Sequence, residues 1–317
     1  MPHRPSVARS SDHFRHLKQR LCAQALKLAM PAFWQSAIVG LATIVAAGDI
    51  ASAQPAEGRL KIIRDTASLR IAYRTDSPPF SSLDADKGRP VGYTIELCER
   101  IAKWIEGQLG LSALAIKWVP VDTQTRFEAI VSGAADIECG STTVSLSRLK
   151  IVDFSSLVFA ESTGVMVRAR AGINRFDGLA GKTIGVVPGT TNERAVRSQL
   201  VQRKLEATIM EFRDREEGVA ALASGTVDGF ATDKSVLLSL AQATNAQNLT
   251  LLPDDLSFEP FAIMLPRGDP DFRLAINSGL ARVFRSGEII EIYSKYFRGV
   301  SPHLWLGAVF TFGALPE

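Results

Sequence analysis

Ala129-Ile130-Val131-Ser132-Gly133-Ala134-Ala135-Asp136 is echoed later in the chain by Ala221-Leu222-Ala223-Ser224-Gly225-Thr226-Val227-Asp228, with alanine, serine, glycine and aspartate at the same spacing. Each stretch reads as a helix end with a glycine cap, a turn, and a short strand entered through aspartate. A helix that hands over to a strand twice in one manner argues for two α/β units built alike. Extending the register places Ser141 opposite Asp233, just past the two equivalent strands. Strand C-termini are where open α/β sheets hold ligands. The connection is a common one, so its weight depends on what surrounds it.

Outward from the echo, short apolar strands alternate with amphipathic helices, the pattern of α/β sheets. Strands are expected at Leu69–Tyr73, Ala115–Val119, Lys182–Val187 and Phe258–Leu265. Thr94–Glu106 reads as a helix with Ile95, Leu97, Cys98, Ile101, Ala102 and Ile105 on one face. Thr123–Val131 reads as a helix capped by Asp122 or Thr123. Further helices are expected from Asn192, at Glu216–Ala223, Lys234–Ala241, Phe272–Phe284 and Glu288–Phe297. The apolar tail Leu304–Leu315 is expected to pack on the first unit, with a partner contact as the alternative.

The chain has 317 residues, 36 Lys+Arg and 33 Asp+Glu. Its first 53 residues hold six of the bases, three of the four histidines and Cys22. A basic region to Lys27, an apolar stretch strongest at Ala37–Ala47 and the small-x-small Ala51-Ser52-Ala53 predict a signal peptide over 1–53, cut before Gln54. The apolar run falls short of the ~20 residues a spanning helix needs, which disfavours a retained anchor. Initiation at Met30 instead of Met1 would remove every base of the leader. Without residues 1–53 the chain has 30 basic and 31 acidic residues, so the basic character is the leader's and nucleic acid is not an expected partner. The remaining histidine, His303, stands alone, which leaves no Ser-His-Asp pairing and no multi-histidine metal site. No cofactor and no metal are expected. Cys98 and Cys139 read as small buried thiols, with a disulfide as the alternative in an exported protein.

The chemistry concentrates at strand ends and helix starts. Asp136-Ile-Glu-Cys-Gly-Ser-Thr-Thr143 offers a glycine that allows close backbone approach and the hydroxyls of Ser141 and Thr143. Arg148 follows within reach of a carboxylate. Thr123 and Arg126 fall three apart at a helix start, and Arg74 ends the first strand. Gly189-Thr190-Thr191 precedes a helix whose N-terminal amides favour an anion. Asp233 suits an ammonium. Arg203, Arg213 and Arg215 lie in a run of alternating charge typical of an exposed face. Asp136 and Asp228 read as turn formers, and Phe80 either covers a ligand or packs in the core.

Glu138-Cys-Gly-Ser-Thr-Thr143 and Thr123-Gln-Thr-Arg126, with Val91-Gly92-Tyr93 and the two Ser-Gly-x-x-Asp turns, resemble the periplasmic amino-acid-binding proteins of ABC transporters (extracellular solute-binding protein family 3), in particular the glutamate/aspartate branch. The resemblance covers roughly residues 60–300. It implies an α/β, two-lobed periplasmic-binding-protein fold of type II, with two crossover strands and the ligand cleft between the lobes. Lobe 1 would comprise 57–161 and 260–299, lobe 2 162–259, and 300–317 a C-terminal tail. It also implies roles. Arg148 would clamp the ligand α-carboxylate with Thr143 and Thr190 or Thr191; Asp233 and Ser141 would hold the α-ammonium; Arg74, Arg126 and Thr123 would face the side chain. Arg215 stands where that branch carries a histidine. Two arginines at the side-chain end suit an acidic substrate, because guanidinium pairs with carboxylate in a bidentate manner. The implied protein is a periplasmic, non-catalytic monomer that presents its amino acid to an inner-membrane ABC permease. The alternative is a dehydratase-like enzyme on the same scaffold, with Glu138 or Glu161 as general acid. A sensing module of a membrane receptor would need a further membrane segment and a signalling domain.

Overall fold

A computed structural model describes residues 58–244, 248–298, 302 and 304–316, all within the unit Gln54–Glu317. The expected leader 1–53, Cys22 and His303 lie outside the described residues. From its start the chain runs through α1 (Gly58–Thr66), β1 (Ser68–Arg74), the small sheet β2 (Asp76–Ser77), β3 (Ser81–Asp84) and β4 (Arg89–Val91), then α2 (Tyr93–Gln108), β5 (Ala115–Val121), α3 (Arg126–Val131), β6 (Ile137–Cys139) and β7 (Asp153–Glu161). A second set follows: β8 (Thr163–Arg168), β9 (Thr183–Val186), α4 (Thr191–Arg203), β10 (Thr208–Glu211), α5 (Arg215–Ser224), β11 (Gly229–Asp233), α6 (Lys234–Ala243) and β12 (Leu249–Leu251). The chain returns through β13 (Glu259–Leu265) to α7 (Pro270–Ser286), α8 (Glu288–Tyr296) and α9 (Leu304–Gly313).

These strands form two five-stranded sheets, ordered β5-β1-β6-β13-β7 and β10-β9-β11-β8-β12. The first lobe is built on one sheet and the second on the other, which is the two-lobed α/β architecture expected. The chain crosses between them twice, from β7 to β8 at Ser162 and from β12 to β13 across residues 252–258. At the crossing Glu161 and Glu259 are direct neighbours across antiparallel β7 and β13. Strands β1, β6, β9 and β11 are buried almost throughout, as parallel strands covered by helices must be.

The echo is structural. The Asp136 N–H donates to the Arg70 carbonyl at 2.8 Å, and its carboxylate accepts from the Arg70 N–H at 2.7 Å. Asp228 and Thr183 repeat the pair at 2.8 and 3.0 Å. Each aspartate thus clasps the start of the neighbouring strand, a larger role than forming a turn.

Helix α2 buries the six expected apolar residues against the first sheet. Gly92 precedes it at φ 144°, where a Cβ would stand 2.1 Å from the Phe80 carbonyl oxygen, so only glycine serves. The same packing lays Cys98 over the end of β6, and Cys98 and Cys139 form a disulfide, not two thiols, with Cα atoms 6.5 Å apart. A sequence gives no such distance, which is why free thiols were expected. A second correction concerns α3, which begins at Arg126 and not at Thr123. The Asp122 carboxylate accepts from the N–H groups of Gln124 and Thr125, so residues 122–125 form a turn. Phe80 is fully buried with its ring 4.9 Å from Phe159 and 5.2 Å from Phe261, a core residue. The tail forms α9, which seats Leu306 and Phe310 on the first lobe; Phe310 stacks on Phe284 with centroids 5.9 Å apart. Among the described residues no helix is long and apolar enough to cross a membrane.

Candidate functional site

Between the lobes the ends of β1, β6 and β11 and the starts of α4 and α5 face one another, and of the ten residues singled out by sequence nine are buried there and Thr191 is half-buried. The register argument holds: the Ser141 hydroxyl donates across the cleft to Asp233 Oδ2 at 3.4 Å and lies 2.7 Å from the Ser77 hydroxyl. Asp233, at the end of β11, also accepts from Asn192 Nδ2 at 2.8 Å.

On the first lobe, Arg74 places Nε and Nη2 on Asp76 Oδ1 at 3.0 and 2.6 Å, and Nη2 also donates to the Thr123 hydroxyl at 2.7 Å. Arg126 Nη1 donates to the Thr142 hydroxyl at 2.8 Å, which in turn donates to Glu138 Oε2 at 2.7 Å. Arg74 Nη1 and Arg126 Nε are buried without a hydrogen-bond partner. An unmet buried donor on a cation is costly, so these two nitrogens mark a place for an acceptor. At Gly140 a Cβ would stand 2.3 Å from Glu138 Oε1 and 3.0 Å from Arg74 Cγ, so glycine makes room for these two side chains.

At the other end Arg148 donates to the Thr143 carbonyl at 2.8 Å, and its guanidinium shares the Phe127 ring with that of Arg126, at 5.2 and 5.1 Å. The Thr143 hydroxyl donates to Glu259 at 2.6 Å and meets Thr191 of the second lobe at 3.1 Å. Thr190 contributes differently from its neighbour. Its hydroxyl accepts from the Glu193 N–H at 3.0 Å and donates to the Val187 carbonyl at 2.8 Å, so it caps α4.

Arg215, singled out as a site residue although its run of alternating charge is typical of an exposed face, is turned inward. It is 2% exposed, donates from Nε to the Thr232 hydroxyl at 2.9 Å, and reaches Asp76 of the first lobe and Asp233 of the second, each at 3.5 Å. Asp214 caps α5 by accepting from the Glu217 N–H at 2.9 Å, and the helix start turns Arg215 inward while its charged neighbours stay outside. Arg203 and Arg213 do sit toward solvent, paired with Asp177 and Asp214.

Burial governs the electrostatics. It lowers the Arg126 pKa well below the arginine range, helped by the charges of Arg74 and Arg148. Burial and Arg215 lower that of Arg74, and burial and Arg194 bring that of Arg148 to about 10. Burial pushes Asp76 the opposite way, but Arg74 and Arg215 prevail and hold its carboxyl at about 2. Burial raises Asp233 against the pull of Arg215. Glu161, buried beside the charges of Asp233 and Glu259, is pushed well above the carboxylate range. A site crowded with cations this dry favours any ligand that brings an anion.

The sequence reading missed Asp76, Asn192 and Glu259, which complete the polar network. Asp76 stands two residues beyond Arg74, yet nothing in its spacing marks it. A cavity of about 1030 Å3 opens elsewhere, between the β3–β4 hairpin, α2, α6 and the C-terminal helices, and none of the ten expected residues lines it. A shallower recess of about 390 Å3 reaches Thr143, Thr191 and Glu259 at the rim of the cleft. Among the described residues no cluster suits a metal ion.

Comparison with known proteins matches residues 69–299 to the bacterial extracellular solute-binding proteins, family 3. The chain is 32% identical over 241 residues to the L-glutamate/L-aspartate-binding protein of Pseudomonas aeruginosa, covering 76% of this chain and 80% of that one. It is 28% identical over 279 residues to the glutamate/aspartate import solute-binding protein of Escherichia coli, covering 87% and 91%. Among solved structures, an ancestral amino acid-binding protein that is a precursor of cyclohexadienyl dehydratase superimposes with a TM-score of 0.67 at 25% identity, over 76% of this chain and 100% of that one.

Proposed function

The chain belongs to the bacterial extracellular solute-binding proteins, family 3, and from that premise we propose that it captures an acidic amino acid, glutamate or aspartate, in the periplasm and presents it to an inner-membrane ABC permease. The observation that carries the acidic ligand is the pair of unmet buried donors, Arg74 Nη1 and Arg126 Nε. A side-chain carboxylate would supply acceptors for both, and among the described residues no group does so. Arg148 with Thr143 and Thr191 holds the α-carboxylate, Asp233 with Ser141 the α-ammonium, and Thr123 and Arg215 complete the side-chain end; Thr190 serves by capping α4. Residues 57–161 with 260–299 move against 162–259, with 300–317 as a tail, and ligand contacts from both lobes bias the hinge toward closure.

The dehydratase reading gains nothing from the geometry. It needs a proton donor over the ligand, whereas Glu138 accepts from Thr142 and Glu161 lines the cavity that none of the ten expected residues lines. Titration calorimetry against the twenty amino acids tests the proposal, with prephenate turnover assayed alongside. Heat with glutamate or aspartate is expected, together with a loss of at least tenfold in their affinity in Arg126→Ala. Heat confined to other amino acids overturns the acidic ligand.

A further inference from the structure

Asp76 gives the cleft a carboxylate of its own at the place where an acidic side chain would bring one. Its Oδ1 takes two N–H groups of Arg74, and its Oδ2 faces Nη1 of Arg215 from the opposite lobe. It is 6% exposed, and its depressed pKa keeps it ionised at any working pH. A ligand carboxylate entering here finds Arg74 and Arg215 already engaged. What remains unmet is Nη1 of Arg74 and Nε of Arg126, and a neutral amide carbonyl accepts from N–H donors as a carboxylate does. The nearby negative charge of Asp76 also offsets part of the attraction of the arginines for a ligand anion.

We propose that Asp76 is a specificity-determining residue, an internal competitor that reduces the preference of the side-chain subsite for an acid over the matching amide. The inference rests on the proposed amino-acid function and adds that glutamine or asparagine binds nearly as well as glutamate or aspartate. Arg215 shares in the effect, since its guanidinium is paired to Asp76 and Asp233 in place of being offered singly to the ligand.

The test is calorimetry of purified protein with glutamate, glutamine, aspartate and asparagine, for the wild type, Asp76→Asn and Asp76→Glu. Asp76→Asn keeps the shape and removes the charge, so the amide-to-acid ratio of Kd should rise at least tenfold over the wild type. Asp76→Glu keeps the charge, so its ratio should stay below that rise. A ratio in Asp76→Asn that rises less than tenfold, or an equal rise in Asp76→Glu, overturns the role of the Asp76 charge. Should Asp76→Asn fail to fold, the wild type decides: acid over amide by less than tenfold agrees with the competitor, and by more overturns it. A wild type that binds none of the four refutes the amino-acid function instead, which separates the two failures.

Discussion

Ser141 and Asp233 each lie five residues past the aspartate that clasps a neighbouring strand, Asp136 and Asp228, and they meet across the cleft at 3.4 Å. Two repeats of one local design thus deliver a hydroxyl and a carboxylate to the same point from opposite lobes. Asp233→Asn keeps the shape of the residue and removes the charge proposed to hold the ligand ammonium. A charge-assisted hydrogen bond contributes about 2 kcal/mol, so Kd for glutamate should rise about 30-fold. The 2-oxo acid of the same skeleton, which has no ammonium, should lose no affinity. Equal losses for both ligands would place the ammonium elsewhere.

The Cys98–Cys139 bridge closes a loop of 41 residues. By the loop-entropy model such a link stabilises by about 4 kcal/mol. Urea unfolding with and without reductant measures this directly, and the double variant Cys98→Ala/Cys139→Ala should match the reduced protein. Identical midpoints in oxidised and reduced samples would deny the bridge a stabilising role.

Glu161 makes stability depend on pH in an unusual direction. Its folded pKa is raised well above 4.5 by burial and by Asp233 and Glu259, so the folded state holds this proton more tightly than the unfolded one. The resulting stabilisation is complete below about pH 4.5 and is lost as pH rises through the folded value. Glu161→Gln retains an acceptor for the Ser235 N–H and cannot ionise. Its melting temperature should exceed that of the wild type at pH 8 and converge with it near pH 4; a constant difference across that range would contradict the assignment.

Helix α9 should matter to the stability of the first lobe and not to the ligand. Phe310 is 7% exposed, stacked on Phe284 and edge-on to Tyr293. Phe310→Ala should cost about 3 kcal/mol in urea unfolding and leave Kd within threefold, because neither Phe284 nor Tyr293 touches the cleft network. A tenfold change in affinity would show that the tail communicates with the cleft.

Most of the fold was legible because its signals are local: alternating apolar strands, the α2 stripe, and the two glycine-ended helices. The cleft residues were legible as types at strand ends, and the resemblance supplied their order. What escaped depended on distance. The disulfide required knowing that α2 crosses the end of β6. Arg215 entered the site set only through the resemblance, since its neighbours alternate in charge as on an exposed face; the direction of the α5 start turns it inward. Asp76 escaped because its meaning lies in Arg215, which reaches it from the other lobe. Gly140 was read for close approach to a ligand, and the space it leaves to Glu138 and Arg74 could not be seen from its neighbours in sequence.

The bridge has a further consequence. Cys139 immediately precedes the loop that carries Ser141 and Thr143, so a covalent stake stands at the root of one half of the cleft. The groups on the second lobe have no such stake among the described residues. An arriving solute therefore meets a half-site that is already set, and enclosure follows when the other half swings in. On the proposed function, encounter and capture become separate events, and the oxidation of two sulfurs fixes the half-site that the solute meets first.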